Sequence, residues 1–128
     1  MSNNYLLVVD DNRGICLLLD DFLTQEAFIV KYASNGLEAL QLVMEEKPSL
    51  VLLDLRMPGL SGLETLIKLK DLAPDTIVII MSAYFDQKDV QEWVKEGIIE
   101  HYIVKPFDLI ELRSLINELL SNDNKKCI

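Results

Sequence analysis

Five short apolar runs punctuate the chain: Tyr5 to Val9, Phe28 to Ala33, Leu50 to Leu53, Thr76 to Met81 and His101 to Val104. The longer stretches between them carry apolar residues at helical spacing, so the pattern predicts strands alternating with helices. Strands joined by crossovers of a dozen or more residues run parallel, with helices covering both faces of one sheet. Leu6 to Val9, Leu50 to Leu53 and Ile77 to Ile80 are apolar at every position, as strands flanked on both faces must be, which makes strands 1, 3 and 4 central. Lys31 in the second run and His101 with Tyr102 in the fifth mark edge strands. The predicted fold is a three-layer α/β sandwich on a five-stranded parallel sheet of order 2-1-3-4-5.

The first helix is predicted to begin after Asp11 or Asn12, either of which could cap it. Its inward stripe is read as Ile15, Leu18, Leu19, Phe22 and Leu23. That phase leaves Cys16 and Leu17 as an exposed apolar pair beside the sheet edge, a candidate docking surface. The second helix follows Asn35-Gly36 and ends near Lys47-Pro48; the third runs from about Gly62 to Leu72 and stops before Pro74. The fourth spans Gln87 to Glu96 with Gly97 as its C-terminal cap, and the fifth spans Leu109 to Leu120. A domain of residues 1–120 would then be followed by a loose polar tail, residues 121–128.

Composition narrows the partners. At 128 residues, half of them hydrophobic and 26% charged, the chain is sized for one compact domain. Twelve basic against 21 acidic residues leave a net charge of -9, which would repel phosphate backbones and anionic membranes, so neither nucleic acid nor membrane is expected as a partner. Cys16 and Cys127 form no metal-ligand spacing, and a reducing compartment fits best. Met1-Ser2-Asn3-Asn4 has no signal-peptide pattern and no stretch reaches the length of a membrane span, so a cytoplasmic location is expected.

Ligands of open parallel sheets collect beyond the carboxyl ends of the strands, where the strand order reverses. Asp10 and Asp11 follow strand 1 and Asp54 follows strand 3, so three carboxylates should converge there. Two carboxylates about 4 Å apart repel by roughly 1 kcal/mol in water and about 4 kcal/mol at a partly buried site. A hard divalent ion removes that conflict, and oxygen-only ligands suit Mg²⁺ or Mn²⁺ rather than zinc. Ser82 at the end of strand 4 and Lys105 at the end of strand 5 add a hydroxyl and an ammonium to the same rim. A carboxylate nucleophile, a metal, a hydroxyl and a lysine together match the needs of phosphoryl transfer, with Asp54 as the nucleophile. Taken singly these residues have plainer explanations: Asp11 as a helix cap, Asp54 as a strand end before the Met57-Pro58-Gly59 turn, Lys105 as a solvated charge. Their convergence favours the chemical role. His101, Trp93 and Tyr84 are read as structural or surface residues.

The stretches Val8 to Asn12, Leu52 to Gly59, Met81 to Ala83 and Tyr102 to Phe107 resemble the receiver domain of two-component response regulators, a flavodoxin-like fold, over Tyr5 to about Leu120. The resemblance implies that Asp54 accepts phosphate from a histidine kinase, and that Asp10, Asp11, Asp54 and the Arg56 backbone carbonyl bind Mg²⁺. It further implies that Lys105 pairs with the phosphoryl group, that Ser82 hydrogen-bonds to it, and that Tyr102 couples to Ser82 as a switch. Within the family, Gly14-Ile15, Ser82-Ala83-Tyr84 and Lys105 to Asp108 are similar to the stand-alone regulators of sporulation phosphorelays, which implies onward transfer to a histidine phosphotransferase. Gly14, Ile15, Cys16, Leu17, Tyr84, Pro106 and Phe107 are the implied partner-binding residues of a monomer.

Two departures accompany the likeness: the stretch from Gly97 to Lys105 is one residue longer than usual, and Ser82 stands where threonine is commoner. Serine keeps the hydroxyl but lacks the methyl that restricts its rotamer. A chemotaxis-like receiver that binds a target without relaying phosphate is the alternative. An aspartyl hydrolase of the haloacid dehalogenase type would need Asp-x-Asp, a flavin phosphate would be repelled by Asp10-Asp11-Asn12, and no GxxxxGK[ST] loop is present.

Overall fold

The structure, a computed structural model, describes residues 5–126, with side chains through Asn122. Strands β1 (Leu6–Val9), β2 (Val30–Ala33), β3 (Leu50–Asp54), β4 (Ile77–Ala83) and β5 (His101–Lys105) alternate with helices α1 (Arg13–Gln25), α2 (Gly36–Glu45), α3 (Gly62–Leu72), α4 (Gln87–Lys95) and α5 (Leu109–Lys126). All strand pairs are parallel and the sheet order is β2-β1-β3-β4-β5. Every residue of β1 and β3 is buried, whereas β2 and β5 keep partly exposed positions, which is the apolar pattern of central and edge strands realised in space.

Alternation along the strands divides the core in two. Leu6, Val8, Leu50, Leu52, Ile79 and Met81 face the layer that contributes Cys16, Leu19 and Leu23 of α1 and Leu112 and Ile116 of α5. Leu7, Val9, Val51, Leu53, Val78 and Ile80 face Ala39 and Val43 of α2, Leu66 and Leu69 of α3 and Val90 of α4.

The phase of α1 departs from the predicted stripe. Cys16, not Leu18, turns inward: Cys16 is 2% exposed while Leu18 is 53% exposed and Leu17 46%. The residues that touch the sheet are Cys16, Leu19 and Leu23, spaced i, i+3 and i+7, with Ile15 and Phe22 half-buried on the flanks. A run with apolar residues at five successive positions from Ile15 to Leu19 is compatible with more than one stripe, and packing selected the one that puts the small thiol against the strand.

Local capping explains the other boundaries. Ser61 and Glu64 form a reciprocal capping box at α3, Asn35 caps α2 and Asp108 accepts from Ile110 N–H at 2.8 Å at the start of α5. Gly97, at φ +79°, ends α4 with bonds from Gly97 N–H to Val94 O and Ile98 N–H to Trp93 O. Several boundaries differ from the pattern-based prediction, most of them by one residue and three by more. β2 starts at Val30 because Ala27 and Phe28 are used in terminating α1. β4 continues to Ala83 because β5 pairs with it as far as Lys105. Helix α5 carries on through Lys126, so residues read as a tail from Ser121 are helical; residues 127–128 lie outside the described ones.

Ala27 ends α1 in the same way that Gly97 ends α4, donating to Thr24 O while Phe28 N–H donates to Leu23 O, and it does so with a side chain at φ +72°. A left-handed residue with a Cβ costs about 1–2 kcal/mol, partly offset by the entropy that glycine adds to the unfolded chain. Ala27→Gly should therefore raise stability by about 0.5–1 kcal/mol in a urea melt, with the slope of the transition unchanged.

Candidate functional site

β1 and β3 lie side by side with Val9 opposite Leu53, so the residues ending these strands meet at the carboxyl edge of the sheet. Asp10 is 1% exposed, and its Oδ1 accepts from the Asn12 backbone N–H at 2.9 Å. Asn12 is the cap of α1, accepting from Ile15 N–H at 3.3 Å, which releases the exposed Asp11 from a capping role. Asp54 is the last residue of β3 and is buried. One carboxylate oxygen from each of Asp10, Asp11 and Asp54 lies within 4.8 Å of the others.

Lys105, the last residue of β5, reaches into this cluster. Its Nζ donates to Asp10 Oδ2 at 2.7 Å and to Asp54 Oδ1 at 3.4 Å. Burial, and next the charge of Asp10, push the Asp54 carboxyl up to about 6, against the opposing pull of Lys105 and a hydrogen bond from the Arg56 backbone. Burial acting alone would lower the Lys105 pKa, but its bond to Asp10 and the charges of Asp54 and Asp10 outweigh it and the pKa is raised. One ammonium is thus shared by two buried carboxylates, with a third carboxylate at the surface. The surplus negative charge and the all-oxygen donor set fit a hard divalent cation such as Mg²⁺ or Mn²⁺, held by Asp10, Asp11 and Asp54.

Ser82 and Tyr102 sit on the other parity of their strands. Ser82 shares the side of Ile80, and Tyr102 packs on the same core layer as α4. The Ser82 hydroxyl accepts from Gln87 Nε2 at 3.1 Å, and the Tyr102 hydroxyl accepts from Gln91 Nε2 at 2.8 Å. Both groups are therefore tied to α4, one turn of helix apart. β5 enters the sheet in unbroken register from His101, and the turn before it buries Ile99.

The surface residues divide. Ile15, Leu18 and Leu19 of α1 line a groove of about 420 Å³ with Lys105, Pro106, Phe107 and Leu109. Leu17 is exposed beside it, and Gly14 is exposed at the first turn of α1. Cys16 is removed from this surface: its thiol donates to the Asp10 backbone oxygen at 3.3 Å, and burial pushes its pKa up, so it belongs to the support of Asp10. Leu18 takes its place. Tyr84, 81% exposed, and Phe85 project from a 3-10 turn, Tyr84–Asp86, between β4 and α4.

Three residues of this region leave little trace in the chain pattern. Gly62 starts α3 against the strand end, where an added Cβ would overlap the Asp54 backbone oxygen and crowd Leu55, so the loop after the candidate nucleophile requires glycine there. Asp86 is buried at 2% exposure and accepts from Arg56 Nε at 2.8 Å, clipping the 3-10 turn to the loop after β3, with Arg56 lying 5.6 Å from the Phe85 ring centre. Gln87 reads from the sequence as no more than the start of a helix. A glycine two residues after Pro-Gly-x and an acid in a turn are common local features; only their spatial neighbours make them specific.

The raised Asp54 pKa has a consequence for stability. Its value near 6 in the fold exceeds the ordinary carboxylate value of 3.8, so the folded protein binds the proton more tightly than the unfolded chain and ionisation opposes folding. The cost is absent below about pH 4, grows between about pH 4 and 6, and is complete above that. In metal-free buffer at pH 7, Asp54→Asn should stabilise the protein by about 1–3 kcal/mol, with the gain vanishing as the pH falls to about 4. Paired urea melts across that range measure it.

The family described as the response regulator receiver domain matches residues 6–117. The chain is 40% identical over 120 residues to sporulation initiation phosphotransferase F of Bacillus subtilis (strain 168), covering 94% of this chain and 96% of that protein. It also matches some transcriptional regulators, of whose length it spans only 26%. Among solved structures, the CheY-like receiver domain protein of Methanospirillum hungatei JF-1 superposes with a TM-score of 0.89 at 28% identity, over 98% of this chain and 99% of that one. Response regulator protein TrrA of Thermotoga maritima, in complex with Mg²⁺–BeF, superposes with a TM-score of 0.79 at 34% identity, over 91% and 98%. Sheet order, the acidic rim with its lysine, and sequence agreement along nearly the whole chain coincide: the chain belongs to the response regulator receiver domain family.

Proposed function

We propose that this receiver takes a phosphoryl group from a histidine kinase onto Asp54, with Mg²⁺ held by Asp10, Asp11, Asp54 and the Arg56 backbone carbonyl, and relays it to a histidine phosphotransferase. The observation that carries the reading is the meeting of Asp10, Asp54 and Lys105 at the end of the sheet. An Asp54 oxygen would attack phosphorus as the donor's bond to phosphorus breaks, the leaving histidine or acetate keeping the electron pair. Burial and the charge of Asp10 raise the Asp54 pKa to about 6 in the metal-free site, and a bound cation would favour the ionised, nucleophilic carboxylate. Lys105 is placed to shift its ammonium from the carboxylates to the incoming phosphoryl oxygens, and Ser82 to donate its hydroxyl proton to them. A bound metal ion would supply neutralising charge for the same oxygens. Tyr102 serves as the aromatic partner of Ser82 in the switch.

The relay, rather than a receiver acting only by binding, is supported by the match to sporulation initiation phosphotransferase F over nearly the full length of both chains. The groove between α1 and Pro106-Phe107, next in sequence to the exposed Gly14 and Leu17 of α1, is suited to a helical partner that brings its histidine to Asp54. Placement in the cytoplasm agrees with there being, among the described residues, no helix long and apolar enough to cross a membrane. The exposed Tyr84 and Phe85 favour the second reading, a target-binding face used without onward transfer.

Incubation with acetyl phosphate and Mg²⁺ should add the mass of one phosphoryl group to the wild type. Chelating the metal or making Asp54→Ala should prevent it, and label persisting in Asp54→Ala would place the acceptor elsewhere. Phosphorylated protein mixed with a purified histidine phosphotransferase should lose its label to that partner; retention of the label would favour the target-binding reading. Leu17→Glu should slow that transfer at least about tenfold without changing labelling by acetyl phosphate, since a buried charge at an interface costs more than about 1.4 kcal/mol.

A further inference from the structure

Ser82 is buried to 1% exposure at the edge of the site, and a serine there has a freedom that threonine lacks. Two heavy atoms on Cβ hold a threonine χ1 in few wells, whereas serine can swing its hydroxyl among three. Among the described residues, that hydroxyl has one hydrogen-bond partner. The side-chain amide of Gln87 donates to Ser82 Oγ at 3.1 Å, and the same nitrogen lies 3.5 Å from the Ala83 backbone oxygen. The direction of that bond matters: the amide nitrogen can only donate, so it occupies a lone pair of the hydroxyl and leaves its single proton for another acceptor.

Gln87 is itself held in place. It is the first residue of α4, directly after the 3-10 turn Tyr84–Asp86, so its side chain folds back over that turn to the end of β4. Asp86 anchors the turn through its bond from Arg56, which lies in the loop that follows the acceptor strand.

We infer that Gln87 is a positioning residue for phosphoryl transfer: its amide fixes the Ser82 rotamer and aims the hydroxyl proton at the phosphoryl group on Asp54, doing for serine what the methyl does for threonine. The inference rests on the proposed acceptor role of Asp54. Gln87 touches no reacting atom and acts only through the hydroxyl, which separates it from a residue that merely stabilises α4.

A double-mutant cycle tests this. The rate of labelling by acetyl phosphate at saturating Mg²⁺ is followed by intact mass for wild type, Gln87→Met, Ser82→Ala, Ser82→Thr and the two double variants, with melting temperatures recorded for each. Gln87→Met, which keeps the volume and removes the donor, should slow labelling about 3- to 10-fold when Ser82 is present. It should change the rate less than about twofold on the Ser82→Ala and Ser82→Thr backgrounds, because no rotamer then needs fixing. Equal rates for Gln87→Met and wild type would overturn the inference, and so would the same slowing persisting with Ser82→Ala. A wild type that takes no label at all would instead overturn the acceptor role of Asp54, and the inference with it.

Discussion

Two carboxylates on neighbouring strands, buried within a few ångströms of one another, need a cation between them, and here Lys105 supplies it from a third strand. Nζ bridges Asp10 and Asp54, which are delivered by β1 and β3. The bridge does not balance the charge, since Asp11 adds a third carboxylate and Asp54 remains hard to ionise. That unresolved repulsion is what makes the rim chemically useful. A divalent cation at the rim would relieve part of a repulsion that the fold maintains at rest.

Maintaining it takes rigid support, and the support comes from the backbone around each acid. Asp10 accepts the Asn12 N–H while its own carbonyl takes the Cys16 thiol, so strand end and helix start are locked together. Gly62 lets α3 press against the Asp54 carbonyl, and the Ser61–Glu64 box fixes where that helix begins. Arg56 and Asp86 clip the loop after β3 to the turn after β4. Carboxylates with this much packing behind them cannot move apart to relax, which keeps the site pre-organised in the absence of its partners.

The two layers of the sandwich divide the labour. Asp10, Asp54 and Lys105 share strand parity with residues facing α1 and α5, the helices that border the apolar groove. Ser82 and Tyr102 face α4 and bond to it through Gln87 and Gln91. Chemistry at the rim can therefore be felt on two surfaces: one where a phosphoryl donor or acceptor would dock, and one where α4 would report the state of the hydroxyl pair. A change in the position of α4 alters both of its glutamine contacts together, because they lie one turn apart on one helix.

Much of this was legible in the chain itself. Continuous apolar runs mark central strands because such strands are covered on both sides, polar residues mark the edges, and acids placed directly after two central strands must converge once these pair; strand order and the meeting of Asp10, Asp11 and Asp54 follow from that, and Lys105 from its place after strand 5. Tertiary structure decided what depends on neighbours distant in sequence. Five apolar residues in succession from Ile15 left the phase of α1 open, and packing chose Cys16 to face inward and Leu18 outward. The burial of Asp86, the glycine demanded at position 62 and the grip of Gln87 on Ser82 arise from contacts between separate elements. No local periodicity encodes such contacts, because each is set by where two elements meet and not by the spacing of residues within either one.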